Sequence, residues 1–362
     1  MVARGGIDLG GTKIQAVVVD GRWNVLGQSR RPTPTKGGPG DVAEQMGDAL
    51  RDAALDAGMR PSALAGVGVG SPGDVNETTG TVSQARNLPG WDGSFKLGPS
   101  LSKTLGSPVA VGNDVRVATE AESRLGAGRH YKSLIGVFWG TGVGGGVILN
   151  GEPWLGRGAA GEIGHMVVKR GGARCTCGRR GCLEAYAGRA AMEIKARSEH
   201  DAGKHTDLFK IMRKHDRDRL TSAIWGHALK EKDPLAEKLI DRAISALGAG
   251  IASAVNLLDV EAVIIGGGLG VRLGEPYVKR IREAMTPHLF SDDHPPALHV
   301  AALGDLGGAI GAALLSGSRD KAARDRARSR RPKASSNSTA GDGAASRNRS
   351  RARRGSKAQP ES

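Results

Sequence analysis

GGIDLGGTKIQAVVVDGRWNVLGQSR occupies residues Gly5 to Arg30, and LIGVFWGTGVGGGVILNG, from Leu134 to Gly151, repeats its plan. In each, an apolar run ends on a glycine-rich turn and a second apolar run follows directly. Ile14 to Val19 is a β-forming run broken only by the polar Gln15, and Asp20-Gly21 marks a further turn before the chain resumes, a β-hairpin signature. A strand after the glycines excludes two familiar phosphate loops. No GK[ST] opens a helix as a Walker loop requires, and the Rossmann fingerprint likewise needs a helix at that point. A glycine-turn hairpin used twice predicts two related halves facing each other.

The intervening and following segments read as alternating helices and strands. An amphipathic helix is predicted from Val42 to Ala57, then a strand in AGVGVGSPG and another in PVAVGND, which ends on Asn113-Asp114 ahead of the helical VRVATEAESRLG. Leu235, Leu239, Ala243, Leu247, Ile251, Val255 and Leu258 recur at helical spacing and predict one long helix feeding the strand VEAVIIGGGLG. DLGGAIGAALLS predicts a small-residue helix suited to close packing. The charged stretch from Glu199 to Pro234 is helical in texture, and either a cap on the larger half or a dimer contact fits it.

Charge is unevenly distributed. The formal net charge is +15, but fourteen Lys/Arg against Asp320, Asp325, Asp342 and Glu361 follow from Arg319 onward, which is +10 and leaves +5 for the preceding 318 residues. That tail is almost free of large apolar residues, so it predicts a disordered extension and a folded part ending near Ser316. The apolar Ser133–Leu149 stretch is broken by glycines into strand, turn and strand, so no membrane span is expected. With no apolar leader before IDLGG and an odd number of cysteines, a reducing cytoplasm is the expected compartment.

All three cysteines, Cys175, Cys177 and Cys182, fall within EIGHMVVKRGGARCTCGRRGCLEAY, which begins at Glu162. Cys-x-Cys-x4-Cys, with His165 ten positions upstream of the first thiol, supplies the ligand set of a closed tetrahedral zinc site, Gly178 and Gly181 letting the loop curl. The alternative is three buried or redox-active thiols. A full Cys3His set leaves no open position, so the zinc would be structural and the chemistry would lie beside it. Glu162 and Glu184 flank the metal-held segment and suit the hydroxyls of a polyhydroxylated ligand, although either alone reads as a surface acid.

Two other motifs carry paired readings. In DLGGTK the backbone N–H groups of Gly10, Gly11 and Thr12 can cradle phosphates while Asp8 holds Mg2+, with GTGVGGG as a second cradle; a turn alone is the competing reading. Asp114 at a strand end can take a proton from an attacking hydroxyl, or it can simply belong to a helix cap with Asn113.

DLGGTK, GVGSPGDV, ARNLPGW, GNDVRVATEAE, GTGVGGGVI, GEIGH and CTCGRRGCLE, in this order, resemble the ROK family (repressor, open reading frame, kinase), particularly its bacterial glucokinase-like sugar kinases, over about residues 5 to 316. The resemblance implies an α/β, actin-like ATPase fold of two RNase-H-like lobes around a cleft. The expected divisions are 1–118 for a small lobe, 119–303 for a large lobe with the zinc loop, 304–318 for a helix returning to the small lobe, and 319–362 for the tail. It implies Asp8, Gly10, Gly11, Thr12 and Lys13 as the first phosphate motif, Thr141 and Gly142 as the second, and Gly266, Gly267 and Gly268 on the adenosine side. Asp114 matches the family's base, and Gly73, Asn87, Asn113, Asp114, Glu162, His165 and Glu184 match its sugar-contacting positions, His165 also on zinc. The expected activity is ATP- and Mg2+-dependent phosphorylation of a hexose 6-hydroxyl, glucose first. N-acylhexosamine kinases and sugar-sensing regulators of the family are the alternatives, and Asp8 leaves no room here for the regulators' winged helix ahead of it. A homodimer or homotetramer is expected, with the tail binding polyanions such as nucleic acid or polyphosphate without entering the site.

Overall fold

The computed structural model describes residues 2–317 apart from Arg86 and Asp292; the basic extension from Arg319 onward lies outside the described residues. β1 (Arg4–Leu9), β2 (Lys13–Val19) and β3 (Val25–Pro32) form an antiparallel meander, and α1 (Pro39–Asp56) packs over it. β4 (Val67–Ser71) then pairs parallel to β1. A small antiparallel sheet of β5 (Asp74–Asn76), β6 (Thr81–Ser83) and β7 (Ser94–Phe95), followed by α2 (Leu97–Leu105), precedes β8 (Val109–Asn113), which is parallel to β4. The first sheet thus runs β3-β2-β1-β4-β8.

α3 (Asp114–Leu125) leads to the second half. There β9 (Leu134–Trp139), β10 (Val143–Leu149) and β11 (Glu152–Pro153) repeat the antiparallel meander. Four shorter helices follow, α4 (Glu184–Ala187), α5 (Arg189–Asp201), α6 (Leu208–Lys214) and α7 (Ser222–Lys230), and then α8 (Pro234–Leu258). β12 (Ala262–Gly266) and β13 (Ala297–Val300) add the parallel strands, with α9 (Gly267–Met285) between them. The order is β11-β10-β9-β12-β13, strand for strand the plan of the first sheet. This doubled plan is the actin-like arrangement.

Local chemistry accounts for the boundaries. α1 starts at Pro39, ahead of the periodic residues, because proline at the first helical position gives up an N–H that has no partner anyway. The Asp41 carboxylate reaches back to the Gly38 N–H at 2.8 Å and closes the cap. In α8 the Asp233 side chain caps the Ala236 N–H at 2.8 Å, and the predicted stripe from Leu235 to Val255 is buried in the larger core, with Leu258 partly so. Among the described residues no helix is long and apolar enough to cross a membrane.

Two helices tie the halves together. α10, residues 307–317, lies on the first sheet where a Cβ on Gly68 would overlap the Ala312 carbonyl. α3 runs between the sheets. Its Val117 packs on Gly70 of β4, while Val115 and Thr119 pack on Gly144, Gly136 and Gly146 of β10 and β9. The division expected at residue 118 therefore falls inside one unbroken helix.

The C-terminal turn of α3 carries a clasp. Glu122, 3% exposed, accepts hydrogen bonds from the N–H groups of Ala127 at 2.9 Å, Ala302 at 3.0 Å and Leu303 at 2.8 Å, so one carboxylate fastens α3 to the segment entering α10. Glu122→Ala strands three backbone donors and should lower the unfolding free energy by about 2–4 kcal/mol, read by urea titration. A loss within about 0.5 kcal/mol would show that water replaces the clasp.

Candidate active site

The two glycine turns share a hydrogen-bonding logic. In the first, the Gly10 N–H donates to the Lys13 carbonyl at 2.9 Å, the Thr33 hydroxyl donates to the Gly10 carbonyl at 2.7 Å and the Thr33 N–H to the Thr12 carbonyl at 3.3 Å. The Gly10 amide is thus spent on closing the turn. Among the described residues the N–H groups of Gly11 and Thr12 have no protein acceptor. In the second, the Gly140 N–H donates to the Gly142 carbonyl at 3.0 Å, and the Arg189 and Ala190 N–H groups cap the Gly140 and Thr141 carbonyls at 3.1 and 3.0 Å. Thr141 and Gly142 keep their amides. Turns whose carbonyls are paired and whose tip amides are not suit an anion.

The third glycine run, Gly266–Gly268, sits beside the second turn because β12 pairs with β9, Gly266 opposite Phe138. Gly267 has φ 79°, and a Cβ there would press on the Trp139 backbone at 2.6 Å. A Cβ on Gly268 would meet the Ser222 hydroxyl at 3.4 Å, which brings the start of α7 to the same rim.

At the first sheet, parallel β1, β4 and β8 end on one edge, Asp8 opposite Gly70 and Gly70 opposite Gly112, and this register delivers Asp8, Gly73, Asn113 and Asp114 together. Asn113 caps α3, its side-chain oxygen accepting from the Val115 and Arg116 N–H groups at 3.1 Å each. Asp114 is the first helical residue, and its carboxylate accepts from the Val115 N–H at 2.9 Å. Burial pushes its pKa up to about 6 against the backbone hydrogen bonds, and Glu162 adds to the rise. Asp8 is raised further, to about 7, by burial first and then by Asp114, against the pull of Lys13. The Lys13 ammonium is 3.3 Å from Asp305, ahead of α10. Asn87 lies against Gly11, where a Cβ would be 3.1 Å from its amide nitrogen. Gly73, at φ 91°, packs its backbone on Ser83 and Ala85.

The cysteine loop curls as its glycines require. Gly178 and Gly181 have φ of 88° and 85°, and Cys175 N–H bonds the Arg179 carbonyl at 2.8 Å. The ligand atoms of His165, Cys175, Cys177 and Cys182 lie within 4.8 Å of one another. The Cys177 and Cys182 sulfurs are 3.7 Å apart, and Cys175 Sγ is 3.8 Å from His165 Nδ1. A tetrahedron with Zn–S bonds of about 2.3 Å has edges of about 3.8 Å, so the donor set fits zinc. Imidazole geometry separates two roles, since Nδ1 faces the sulfurs while Nε2 faces the Glu162 carboxylate at 3.8 Å. Glu184 straps the loop to the second turn, accepting from the Val143 N–H at 2.9 Å and the Thr176 hydroxyl at 3.3 Å.

The structure thus gathers the sequence-derived residues into an acidic end (Asp8, Asp114, Glu162, with Asn87 and Asn113) and a glycine-lined end. Thr33, Arg189, Ser222 and Asp305 belong to the same site and carried no local signal. Each reaches it across a long sequence separation from no motif of its own.

The family model described as the ROK family matches residues 4–319. The chain is 33% identical to a glucokinase from Halalkalibacterium halodurans over 86% of this chain and 93% of the relative. It is 32% identical to an N-acetylgalactosamine kinase from Shewanella sp. over 86% and 95%. Among solved structures it is similar to a ROK family glucokinase from Streptomyces griseus in complex with glucose and AMPPNP, with TM-score 0.75 and 31% identity over 87% of this chain and 99% of that one.

Proposed function

The chain belongs to the ROK family, and from that premise we propose that it transfers the γ-phosphoryl group of ATP to the 6-hydroxyl of a hexose, with glucose as the first candidate. The observation that carries this is the pairing of two amide-tipped turns with a half-buried carboxylate, Asp114, at the strand edge between them and the zinc-type loop. Phosphoryl transfer needs little covalent chemistry from a protein; it needs a cradle for the phosphates and a base for the hydroxyl.

In this reading Gly11, Thr12, Thr141 and Gly142 donate to phosphate oxygens and Gly266–Gly268 border the adenosine. Asp8 is the hard oxygen donor suited to Mg2+; burial first and then Asp114 disfavour its charge, and a cation beside it would offset both. An ion held there would supply positive charge against the phosphates. Asn87, Asn113, Glu162, His165 Nε2 and the region of Glu184 and Gly73 hold the sugar hydroxyls, and Asp114 accepts the proton of the attacking one. Both Glu184 oxygens already have protein donors, Oε2 the Val143 N–H and Oε1 the Thr176 hydroxyl, so a sugar hydroxyl would share Oε1 with Thr176.

The N-acetylgalactosamine kinase relative supports a second reading, in which the acceptor is an N-acylhexosamine. Purified protein with Mg-ATP should release ADP with one class at a kcat/KM at least about tenfold above the other, a margin of about 1.4 kcal/mol that a single pocket contact supplies. A panel of hexoses and N-acylhexosamines decides between them. Tight sugar binding with no turnover of any member would replace both readings with a sugar sensor.

A further inference from the structure

Arg189 opens α5, and its backbone N–H already caps the second turn. Its side chain returns to the same turn. Nη2 donates to the Thr141 hydroxyl oxygen at 2.7 Å, and Nη1 donates to the Leu220 carbonyl at 2.7 Å. Nε is buried with no hydrogen-bond partner, and among the described residues no carboxylate forms an ion pair with this guanidinium. The nearby Glu193 is engaged elsewhere, by Arg197 at 2.7 Å, Arg219 at 3.2 Å and the Leu220 N–H at 3.1 Å.

Two physical consequences follow. A hydroxyl oxygen that accepts from a cation keeps its own hydrogen free to donate, so Thr141 is polarised as a donor away from Arg189. A partly buried cation without a counter-anion stabilises an anion that arrives beside it, and the tip amides of Thr141 and Gly142 mark where one fits. We propose that Arg189 is a positioning residue for the nucleotide's phosphates, fixing Thr141 as a hydrogen-bond donor to a phosphoryl oxygen and supplying the second turn's missing positive charge. This deepens the kinase reading and rests on it.

The test is a double-mutant cycle of Arg189→Met and Thr141→Val, with Arg189→Lys alongside, read by calorimetric binding of Mg-AMPPNP and of glucose and by kcat and KM. Each single variant should weaken AMPPNP binding by about tenfold and leave glucose affinity within about twofold. The double variant should be no weaker than the poorer single one, and Arg189→Lys should recover part of the loss. A merely structural Arg189, holding Leu220 in place, would lower stability and both affinities together without coupling to Thr141. Losses that multiply in the double variant, or an Arg189→Met protein binding AMPPNP like the parent, would overturn the assignment. Should Arg189→Met not fold, Arg189→Lys and Thr141→Val complete the same cycle. A parent protein that binds no AMPPNP would sink the kinase reading itself, an outcome distinct from an indifferent Arg189.

Discussion

Asp114→Asn lowers sugar-dependent ADP release by about 10²- to 10⁴-fold, the range a positioned general base contributes, and Asp114→Ala does the same. The fold should survive both changes. Asn113, not Asp114, supplies the cap that serves both the Val115 and Arg116 N–H groups, so α3 keeps its N-terminus when the neighbouring carboxylate is lost. Removing a carboxylate that burial already disfavours also relieves the repulsion with Asp8. Thermal melts within a few degrees of the parent should accompany the lost turnover, with sugar affinity weakened by no more than about tenfold, the worth of one hydrogen bond. The pH profile gives an independent sign. A base must be ionised to act, and burial raises Asp114 to about 6, so kcat/KM should fall as pH drops through that value and hold above it. An Asp114→Asn enzyme with near-parental turnover would remove Asp114 from the chemistry and with it the proposed mechanism.

Metal loss is expected to be almost as damaging. Purified protein should carry about one zinc per chain, since a structural site of this ligand set contributes about 10–16 kcal/mol of apparent binding energy, and Cys177→Ala, which deletes a ligand, or prolonged strong chelation should remove it. Three sulfurs and an imidazole at 3.7 and 3.8 Å spacings lie as the ligands of one ion would, with no disulfide formed among the thiols. Their release frees His165 from orienting Nε2 toward Glu162, and it frees Thr176 from Glu184, which in turn holds Val143 at the second turn. The sugar KM should therefore rise by about 10- to 100-fold, as for lost metal-shell support, with a smaller rise for ATP. Elemental analysis showing no zinc, together with activity indifferent to chelators, would dismiss the metal altogether.

The elements that set the fold were readable because their signals are local. Both hairpins announce themselves through a glycine run between strand-forming residues, and α8 through an apolar stripe unbroken from Leu235 to Val255. The zinc-type loop was readable for the same reason, with three of its four donors within eight positions. What escaped depends on partners far along the chain. Thr33 reaches Gly10 across 23 positions, Arg189 reaches Thr141 across 48, and Glu122 reaches Leu303 across 181. No periodicity encodes such pairings, and a buried Glu or a helix-initial Arg looks in sequence like an ordinary surface charge. The Gly10 amide was assigned to the cradle because glycine invites it, whereas the carbonyl of Lys13 takes it first.

α3 touches both sheets at glycines, Val117 seated on Gly70 on one side and Val115 and Thr119 on Gly136, Gly144 and Gly146 on the other, so only the helix's own short side chains lie between. Branched side chains seated on bare strand backbone resist sliding, so a rotation of one sheet against the other would have its fulcrum along this helix. Points on a fulcrum travel least. Asp114, at the very end of α3, would then travel less than the rims of the cleft, which would let sugar and nucleotide exchange without displacing the proposed base.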